Sequence, residues 1–194
     1  ALDFLQCVSN QLTSLDVSAN TALTNLECQY NSLTVLDASN NTALWYLRCD
    51  NNQLTSLDVS QNTALVYLLC NHNQLTSLDV SNLDSLHWLL CDTNDLQCLN
   101  TKNGGDSLYV SAQNNNLTCI EVDNIIWALN NWFFDSFTSI NVICNYPSPC
   151  VPSSAIKEHT TNKKLLRTID VLGRETKGKK NTPLFYIYDD GTVE

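Results

Sequence analysis

The chain has 194 residues, of which 43% are apolar, and its 20 acidic and 10 basic side chains give a formal net charge of −10. This apolar content is sufficient for a folded core, and no apolar run approaches the roughly 20 residues that cross a bilayer, so no transmembrane segment is predicted. The charge is uneven, because residues 1–150 carry 14 acidic and 2 basic side chains (net −12), whereas residues 151–194 carry 6 and 8 (net +2). With only two cations, residues 1–150 cannot neutralise phosphates, which excludes nucleic acid as a partner.

A 21-residue period runs through the first 123 residues, where the segment from Leu44 to Ala64 is both preceded and followed by edited copies of itself. A fixed period of this length predicts a solenoid in which each copy forms one coil. The aligned columns are Leu5, Leu26, Leu47, Leu68, Leu89 and Val110; Cys7, Cys28, Cys49, Cys70 and Cys91, then Ala112; Asn10, Asn31, Asn52, Asn73, Asn94 and Asn115; and Leu12, Leu33, Leu54, Leu75, Leu96 and Leu117.

These columns predict the interior and the turns of the coils. A coil this short cannot bury its own apolar face, so its leucines and cysteines should pack against their copies in the next coil, roughly 4.8 Å away. The asparagine amide carries both a donor and an acceptor, so we expect it to satisfy backbone groups where the chain turns after the strand. We therefore assign the asparagine and cysteine columns structural roles and no ligand.

The frame Leu-x-x-Leu-x-Cys-x-x-Asn-x-Leu, read from Leu44 to Leu54, resembles the conserved segment of the leucine-rich repeat family. The resemblance covers residues 2–122 and implies a mainly β solenoid of about six coils with parallel strands. The second half of each copy, such as Leu54 to Ser60, alternates apolar and polar residues, which predicts a second strand-like segment on the other flank. Because Leu2 already belongs to the repeat, we expect further residues before Ala1.

An acidic column occupies the second half of the copies, and it consists of Asp16, Asp37, Asp58 and Asp79, continued by Asn100 and Glu121. Like charges stacked at strand spacing repel, so we expect hydrogen bonds from neighbouring hydroxyl or backbone groups to compensate. Weak cation binding is the alternative, although no calcium-loop spacing is present. We predict no metal site and no cofactor.

The nine cysteines divide into two groups by spacing. The five in the column are predicted to be reduced and inert, because a linear column provides neither the Cβ separation of a disulfide nor the convergence of a zinc site. Cys98, Cys119, Cys144 and Cys150 lie outside the column. Four cysteines allow three pairings, and a disulfide from Cys119 to Cys144 or Cys150 would fasten the end of the solenoid.

The repeat ends near Asp123, so we assign residues 1–123 to the solenoid. Residues 124–150 are predicted to form a short helix or irregular cap in which Trp127 and Trp132 seal the core, and residues 151–162 a linker rich in Pro and Ser. Residues 163–194 contain two alternating segments, Leu165 to Leu172 and Leu184 to Tyr188, which predict a small antiparallel β unit.

The final segment, residues 163–194, resembles the C-terminal sorting domain of proteins exported by the type IX secretion system of Bacteroidota. The matching letters are Leu172-Gly173-Arg174-Glu175 and Tyr186-Ile187-Tyr188-Asp189-Asp190-Gly191. The resemblance implies recognition by the secretion machinery, export across the outer membrane and a final location that is extracellular or at the cell surface. Such domains end in a further short strand, so we expect this one to be incomplete. An ordinary small β domain is the alternative.

Positions are counted from the first leucine of the repeat frame, which is Leu44 in its copy. The third position is predicted to point outward from a strand, and it is aromatic in five coils of six. Large rigid rings on a rigid sheet are typical of binding hot spots, although the rings would also stabilise the sheet by stacking. Together with residues at the second, fifth and eighth positions of the frame, which are also predicted to be exposed on the strand, they form a predicted partner-binding set of Phe4, Tyr30, Trp45, Tyr46, Arg48, Tyr67, Leu69, His87, Trp88, Leu90 and Tyr109.

The row of rings predicts a non-catalytic binding module for protein–protein interaction or adhesion, and the resemblance to a sorting domain implies that it is secreted or at the cell surface. Glycan binding by the same rings and a purely structural spacer are the alternatives. No Ser or Cys nucleophile has a base at a recognisable spacing, and the histidines are only His72, His87 and His159, so we predict no enzyme. An outward threonine column (Thr13, Thr34, Thr55 and Thr76) resembles ice-binding solenoids, but the neighbouring aspartates interrupt a flat hydroxyl surface.

Overall fold

The computed structural model describes residues 1–104 and 107–144, together with the backbone of residues 165–170 and 184–188. Cys150, His159, the predicted linker and the motif at 172–175 lie outside the described residues, as does most of the predicted segment at 163–194. The chain divides into two units, Ala1–Pro152 and Ser153–Glu194.

The first unit is built from short strands and one helix. In chain order these are β1 (Phe4–Gln6), β2 (Asn25–Glu27), β3 (Tyr46–Arg48), β4 (Tyr67–Leu69), β5 (Ser77–Asp79), β6 (Trp88–Leu90), β7 (Cys98–Asn100), β8 (Tyr109–Ser111), β9 (Cys119–Glu121), α1 (Ile125–Asn131) and β10 (Ser139–Asn141). In the second unit, β11 (Leu165–Asp170) and β12 (Leu184–Tyr188) pair in antiparallel orientation.

Six of these strands form a parallel sheet in the order β1-β2-β3-β4-β6-β8. Each residue pairs with the residue 21 positions later, so that Tyr46 lies opposite Tyr67 and Tyr67 lies opposite Trp88. The predicted parallel solenoid of about six coils is therefore confirmed, with the period as its strand register. The reason is that each coil buries its apolar face only against an in-register copy.

A second parallel sheet has the order β10-β9-β7-β5 and begins only in the fourth coil. The corresponding residues of the earlier coils, 14–16, 35–37 and 56–58, form no strand. The prediction of strands along both flanks is therefore wrong for the first three coils. In this part of the solenoid, side-chain hydrogen bonds connect neighbouring coils. The amide nitrogen of the fully buried Asn62 in the third coil donates to the carbonyl oxygens of Ala38 and Asn41 in the second, at 2.9 and 3.0 Å.

The core consists of the stacked apolar columns. Leu26, Leu47, Leu68 and Leu89 are fully buried, and Val110 continues their column. Burying a leucine side chain stabilises a fold by about 1.5–3 kcal/mol, so these columns provide much of the driving force for coil stacking. In the strands, the residues on either side of each buried leucine point outward, because side chains alternate between the two faces of a strand.

The asparagine column closes the turns between coils. The amide nitrogen of Asn52 donates to the carbonyl oxygens of Cys28 and Cys49 at 3.0 and 3.1 Å, and its Oδ1 accepts the backbone N–H of Leu33 at 3.0 Å. The same pattern recurs at Asn31, Asn73, Asn94 and Asn115. The column therefore satisfies backbone groups on two successive coils at once, which a single side chain achieves only when the register is kept.

The residue before each column asparagine has a left-handed backbone. These residues are Ser9, Tyr30, Asn51, His72, Thr93 and Asn114, with φ between 54° and 56°. None of them is glycine, although the left-handed region is unfavourable for other L-residues, and only Asn51, His72 and Asn114 are of types enriched in it. The asparagine hydrogen bonds and coil stacking hold this conformation in every turn.

The helix α1 follows the last repeat strands. The side chain of Asn124 accepts the N–H of Trp127 and so caps the helix, while the indole N–H groups of Trp127 and Trp132 both donate to the carbonyl oxygen of Leu108. Ala128 is fully buried and Trp132 packs against the core, whereas Trp127 stays more than one-third exposed. Among the described residues, no helix has the length and apolarity that a bilayer crossing requires.

Candidate functional site

The aromatic residues at the third position of the repeat frame form one row on the outward face of the first sheet. Phe4, Asn25, Tyr46, Tyr67, Trp88 and Tyr109 lie opposite one another in successive strands. We call Trp45, Tyr46, Tyr67, Trp88 and Tyr109 the aromatic strip. The structure therefore brings these five predicted residues together on one surface.

The rings of the aromatic strip form two clusters. Trp45 meets Tyr46 and Tyr67 edge to face, with ring centroids 5.8 Å apart in both pairs, and Tyr46 lies 5.9 Å from Tyr67. Trp88 and Tyr109 are stacked with centroids 4.1 Å apart. Aromatic contacts of this kind contribute about 0.5–1.5 kcal/mol each beyond area burial, so the strip stabilises the sheet that carries it.

Stacking leaves much of the strip accessible. Trp45, Tyr67 and Trp88 are 40%, 37% and 39% exposed, while Tyr46 and Tyr109 are half-buried. Partial burial raises the pKa of the Tyr46 hydroxyl, because desolvation penalises the charged form. The rings of the strip therefore contact one another and also remain accessible, which agrees both with stabilisation of the sheet by stacking and with binding of a partner.

The fifth position of the repeat frame lies beside the strip, and it is apolar in the two coils that contain β4 and β6. Leu69 and Leu90 are half-buried neighbours on β4 and β6. On β3 the position is held by Arg48, whose Nε donates to Oδ1 of the buried Asp50 at 2.8 Å. That hydrogen bond raises the pKa of the Arg48 guanidinium above its ordinary value. The charge of this predicted contact residue is therefore already balanced within the protein.

Three further members of the predicted set, Phe4, Tyr30 and His87, lie outside the aromatic strip as defined above. Tyr30 is exposed, but it lies in the left-handed turn that follows β2, so its assignment to an exposed strand position is wrong. The strands of this sheet are only three residues long, so β2 ends at Glu27, before the eighth position of the repeat frame. Phe4 lies in the row on β1, the edge strand of the sheet, and His87 is exposed with Nδ1 2.7 Å from the carbonyl oxygen of Ser85.

Phe133 belongs to this surface, although the repeat pattern did not indicate it. After α1 the chain returns to the first sheet, and Phe133 pairs in parallel with Ser111. Its backbone N–H donates to Val110 and its carbonyl oxygen accepts from Ala112. The ring lies 6.0 Å from Tyr109 and is 53% exposed, so it extends the aromatic surface by one further position. The only signal in the sequence is the aromatic run that follows the helix.

Two carboxylates flank the sheet face. On β2, Oε2 of Glu27 accepts a hydrogen bond from Gln6 at 3.1 Å, and Glu27 lies opposite Arg48 in the register. Beyond β6, Oδ1 of Asp92 accepts the hydroxyl of Ser111 and the backbone N–H of Gln113. Both side chains are half-buried, so their charges stand at the margin of the strip.

The acidic column lies on the second half of the coils. Oδ1 of Asp16, Asp37, Asp58 and Asp79 accepts the backbone N–H of the serine two residues later at 2.9–3.0 Å. Hydrogen bonds from the side chains of Ser18 and Ser39, and then from their backbone N–H groups, lower the pKa of the Asp16 and Asp37 carboxyls. The aspartates therefore hold turns, and the described residues contain no cluster of three or more potential metal ligands.

The cysteine column is not a ligand set either. Cys28, Cys49, Cys70 and Cys91 are free and buried, and burial raises the pKa of each thiol, to about 12 for Cys28. Neutral buried thiols behave as small apolar groups. Outside the column, Cys119 forms a disulfide with Cys144, with Cα atoms 5.9 Å apart, and Cys98 is also disulfide-bonded.

The solved structures to which this chain is similar include bacterial leucine-rich repeat proteins. The functional domain of the Listeria monocytogenes protein InlJ, described as including a cysteine ladder, is 31% identical with a TM-score of 0.57 and covers 72% of this chain. An internalin (InlF) from the same organism is 23% identical with a TM-score of 0.51, covering 70% of the chain, and a Leptospira interrogans leucine-rich repeat protein is 22% identical with a TM-score of 0.52, covering 68%. The latter two show the fold alone.

The matched region is only part of each of these proteins, since it spans 35%, 39% and 41% of their respective lengths. No protein-family model matches the sequence, and no curated protein matches it significantly. The first unit is thus a mainly β, parallel solenoid of about six coils whose structural neighbours are bacterial leucine-rich repeat proteins.

Proposed function

We propose that the solenoid is a non-catalytic binding module that holds a protein partner on the aromatic strip. The observation that carries the proposal is a row of exposed rings in strict register on a sheet of parallel strands. The sheet fixes the rings before binding, so a partner gains large contact area at little entropic cost. The apolar neighbours Leu69 and Leu90 support the same conclusion, because stacking of the rings does not require them.

Glycan binding is the second candidate, since the exposed Trp45, Tyr67 and Trp88 and the half-buried Tyr46 are side chains on which sugars stack. The stacked pair favours a protein instead. With centroids 4.1 Å apart, Trp88 and Tyr109 each cover one face of the other, which removes platforms that a sugar would use. A spacer role is the third candidate, in which the rings only stabilise the sheet.

A triple substitution of Tyr46, Tyr67 and Trp88 by alanine is expected to lower affinity for a protein partner about 100-fold or more, because hot-spot residues contribute about 2 kcal/mol or more each. The measurement is capture of proteins on the immobilised full chain, followed by titration of each captured protein against both variants. A glycan array is run in parallel. The substituted side chains point away from the core, so melting curves should still show a folded protein.

The matched control replaces Ile126 and Phe137, which are exposed apolar side chains outside the strip. The Ile126→Ala/Phe137→Ala variant should bind as the wild type does. Equal binding by the strip variant would leave the spacer role. A glycan signal that disappears with the strip rings, without any captured protein, would replace the protein partner by a glycan.

We further propose that the chain acts outside the cell or at its surface, in adhesion, with residues 124–150 serving as the cap of the solenoid. The resemblance of residues 163–194 to a type IX sorting domain supports export across the outer membrane of a Bacteroidota-type bacterium. The antiparallel pairing of β11 and β12 is compatible with such a domain.

The test of export is fractionation of a Bacteroidota host that expresses the chain behind a periplasmic leader. Surface or medium localisation is expected for the full chain, and periplasmic retention after deletion of residues 163–194; identical localisation would contradict the proposal.

A further inference from the structure

The margin of the aromatic strip carries negative charge at two separated points. Glu27 lies on β2 at one end, and Asp92 lies beyond β6 at the other, where Ser111 and Gln113 hold its carboxylate. Three strand steps separate β2 from β6 in the sheet order, which corresponds to about 14 Å along the solenoid axis.

The cations of the described surface offset these two carboxylates only in part. Within residues 1–104 and 107–144 the only Lys or Arg side chains are Arg48 and Lys102. Arg48 lies opposite Glu27 but is bound to Asp50, so these three side chains together keep one net negative charge, and Lys102 follows β7 of the second sheet. Between the carboxylates the row contains Arg48 next to Glu27 and then becomes apolar, with Leu69 and Leu90 beside the rings of Tyr67 and Trp88.

We propose that the partner is a cationic protein segment, with an apolar centre over Leu69 and Leu90 and a Lys or Arg side chain near each of Glu27 and Asp92. This inference rests on the proposed function and specifies its partner. An extended chain covers about 14 Å with four residues, which sets the spacing between the two basic side chains. The electron-rich faces of Tyr67 and Trp88 also attract cations, so the rings and the carboxylates both favour a partner with Lys or Arg side chains.

The test uses a random peptide display library selected on the immobilised full chain at 50 mM salt. Clones that also bind the Tyr67→Ala/Trp88→Ala variant are discarded. We expect the remaining peptides to be net positive, with two basic residues about four positions apart around apolar ones. Synthetic copies should bind the Glu27→Gln/Asp92→Asn variant about 3- to 20-fold more weakly, since each exposed ion pair contributes little. Glutamine and asparagine keep the acceptor oxygens that Gln6, Ser111 and Gln113 use.

The matched control removes two charges from the other side of the coils. The Asp37→Asn/Asp58→Asn variant has the same net charge, and the new amide oxygens still accept the turn N–H groups, so its affinity should stay within about 2-fold of the wild type. Strip-dependent peptides that are neutral or acidic, or an equal loss in both charge variants, would overturn the cationic partner and leave the proposed function intact. Absence of any strip-dependent peptide would overturn both.

Discussion

Replacing Asn52 by alanine is expected to lower the free energy of unfolding by about 3–5 kcal/mol. The fully buried N–H of Leu33 donates to Oδ1 of Asn52, and the substitution leaves it without this acceptor. The carbonyl oxygens of Cys28 and Cys49 each lose one donor, although they keep the amides of Asn31 and Asn73. Urea denaturation followed by circular dichroism measures the loss.

The matched control is Asn10→Ala in the first coil. Asn10 is exposed and its amide donates to the carbonyl oxygens of Cys7 and Val8, groups that water reaches. Its replacement should lower the free energy of unfolding by less than about 1 kcal/mol. Similar losses at both positions would mean that the asparagine column acts through turn propensity, and not through satisfaction of buried groups on two coils.

Alkaline solution is expected to unfold the solenoid through its cysteine column. Burial raises the pKa of the four inner thiols above the ordinary value of 9.0, to about 12 for Cys28. Between those values the unfolded chain loses thiol protons that the folded chain keeps, so the free energy of unfolding falls as pH rises. Four thiols together should lower it by roughly 5 kcal/mol per pH unit above about pH 9. Urea midpoints measured from pH 7 to pH 11 test this slope.

A Cys49→Ala/Cys70→Ala variant should show about half of that slope, and alanine is already present in the same column at Ala112. Alkylation adds an independent reading at pH 8, where the half-buried Cys7 should react and the four buried thiols should be protected by several orders of magnitude. Labelling of Cys28 as fast as Cys7 in the folded protein, or an unchanged slope in the variant, would refute the assignment.

The sequence predicted the aromatic strip because its residues belong to the period. Once every coil repeats after 21 residues, Tyr46, Tyr67 and Trp88 must meet in register, and no further information is needed. Tyr30 was placed wrongly because the period does not reveal where a strand ends, and the left-handed turn begins before that position. Phe133 was missed because it joins the sheet after the helix, where no repeat frame applies.

The sequence by itself determined the solenoid, its inward columns, its outward row of rings and its negative charge. These follow from periodicity, because a coil that cannot bury its own apolar face must stack on a copy of itself. The tertiary structure alone decided that Arg48 is neutralised by Asp50, that Glu27 and Asp92 flank an apolar centre, and that Phe133 extends the sheet. Such contacts depend on distances between individual atoms of neighbouring coils, and a repeat pattern contains only the order in which those coils are stacked.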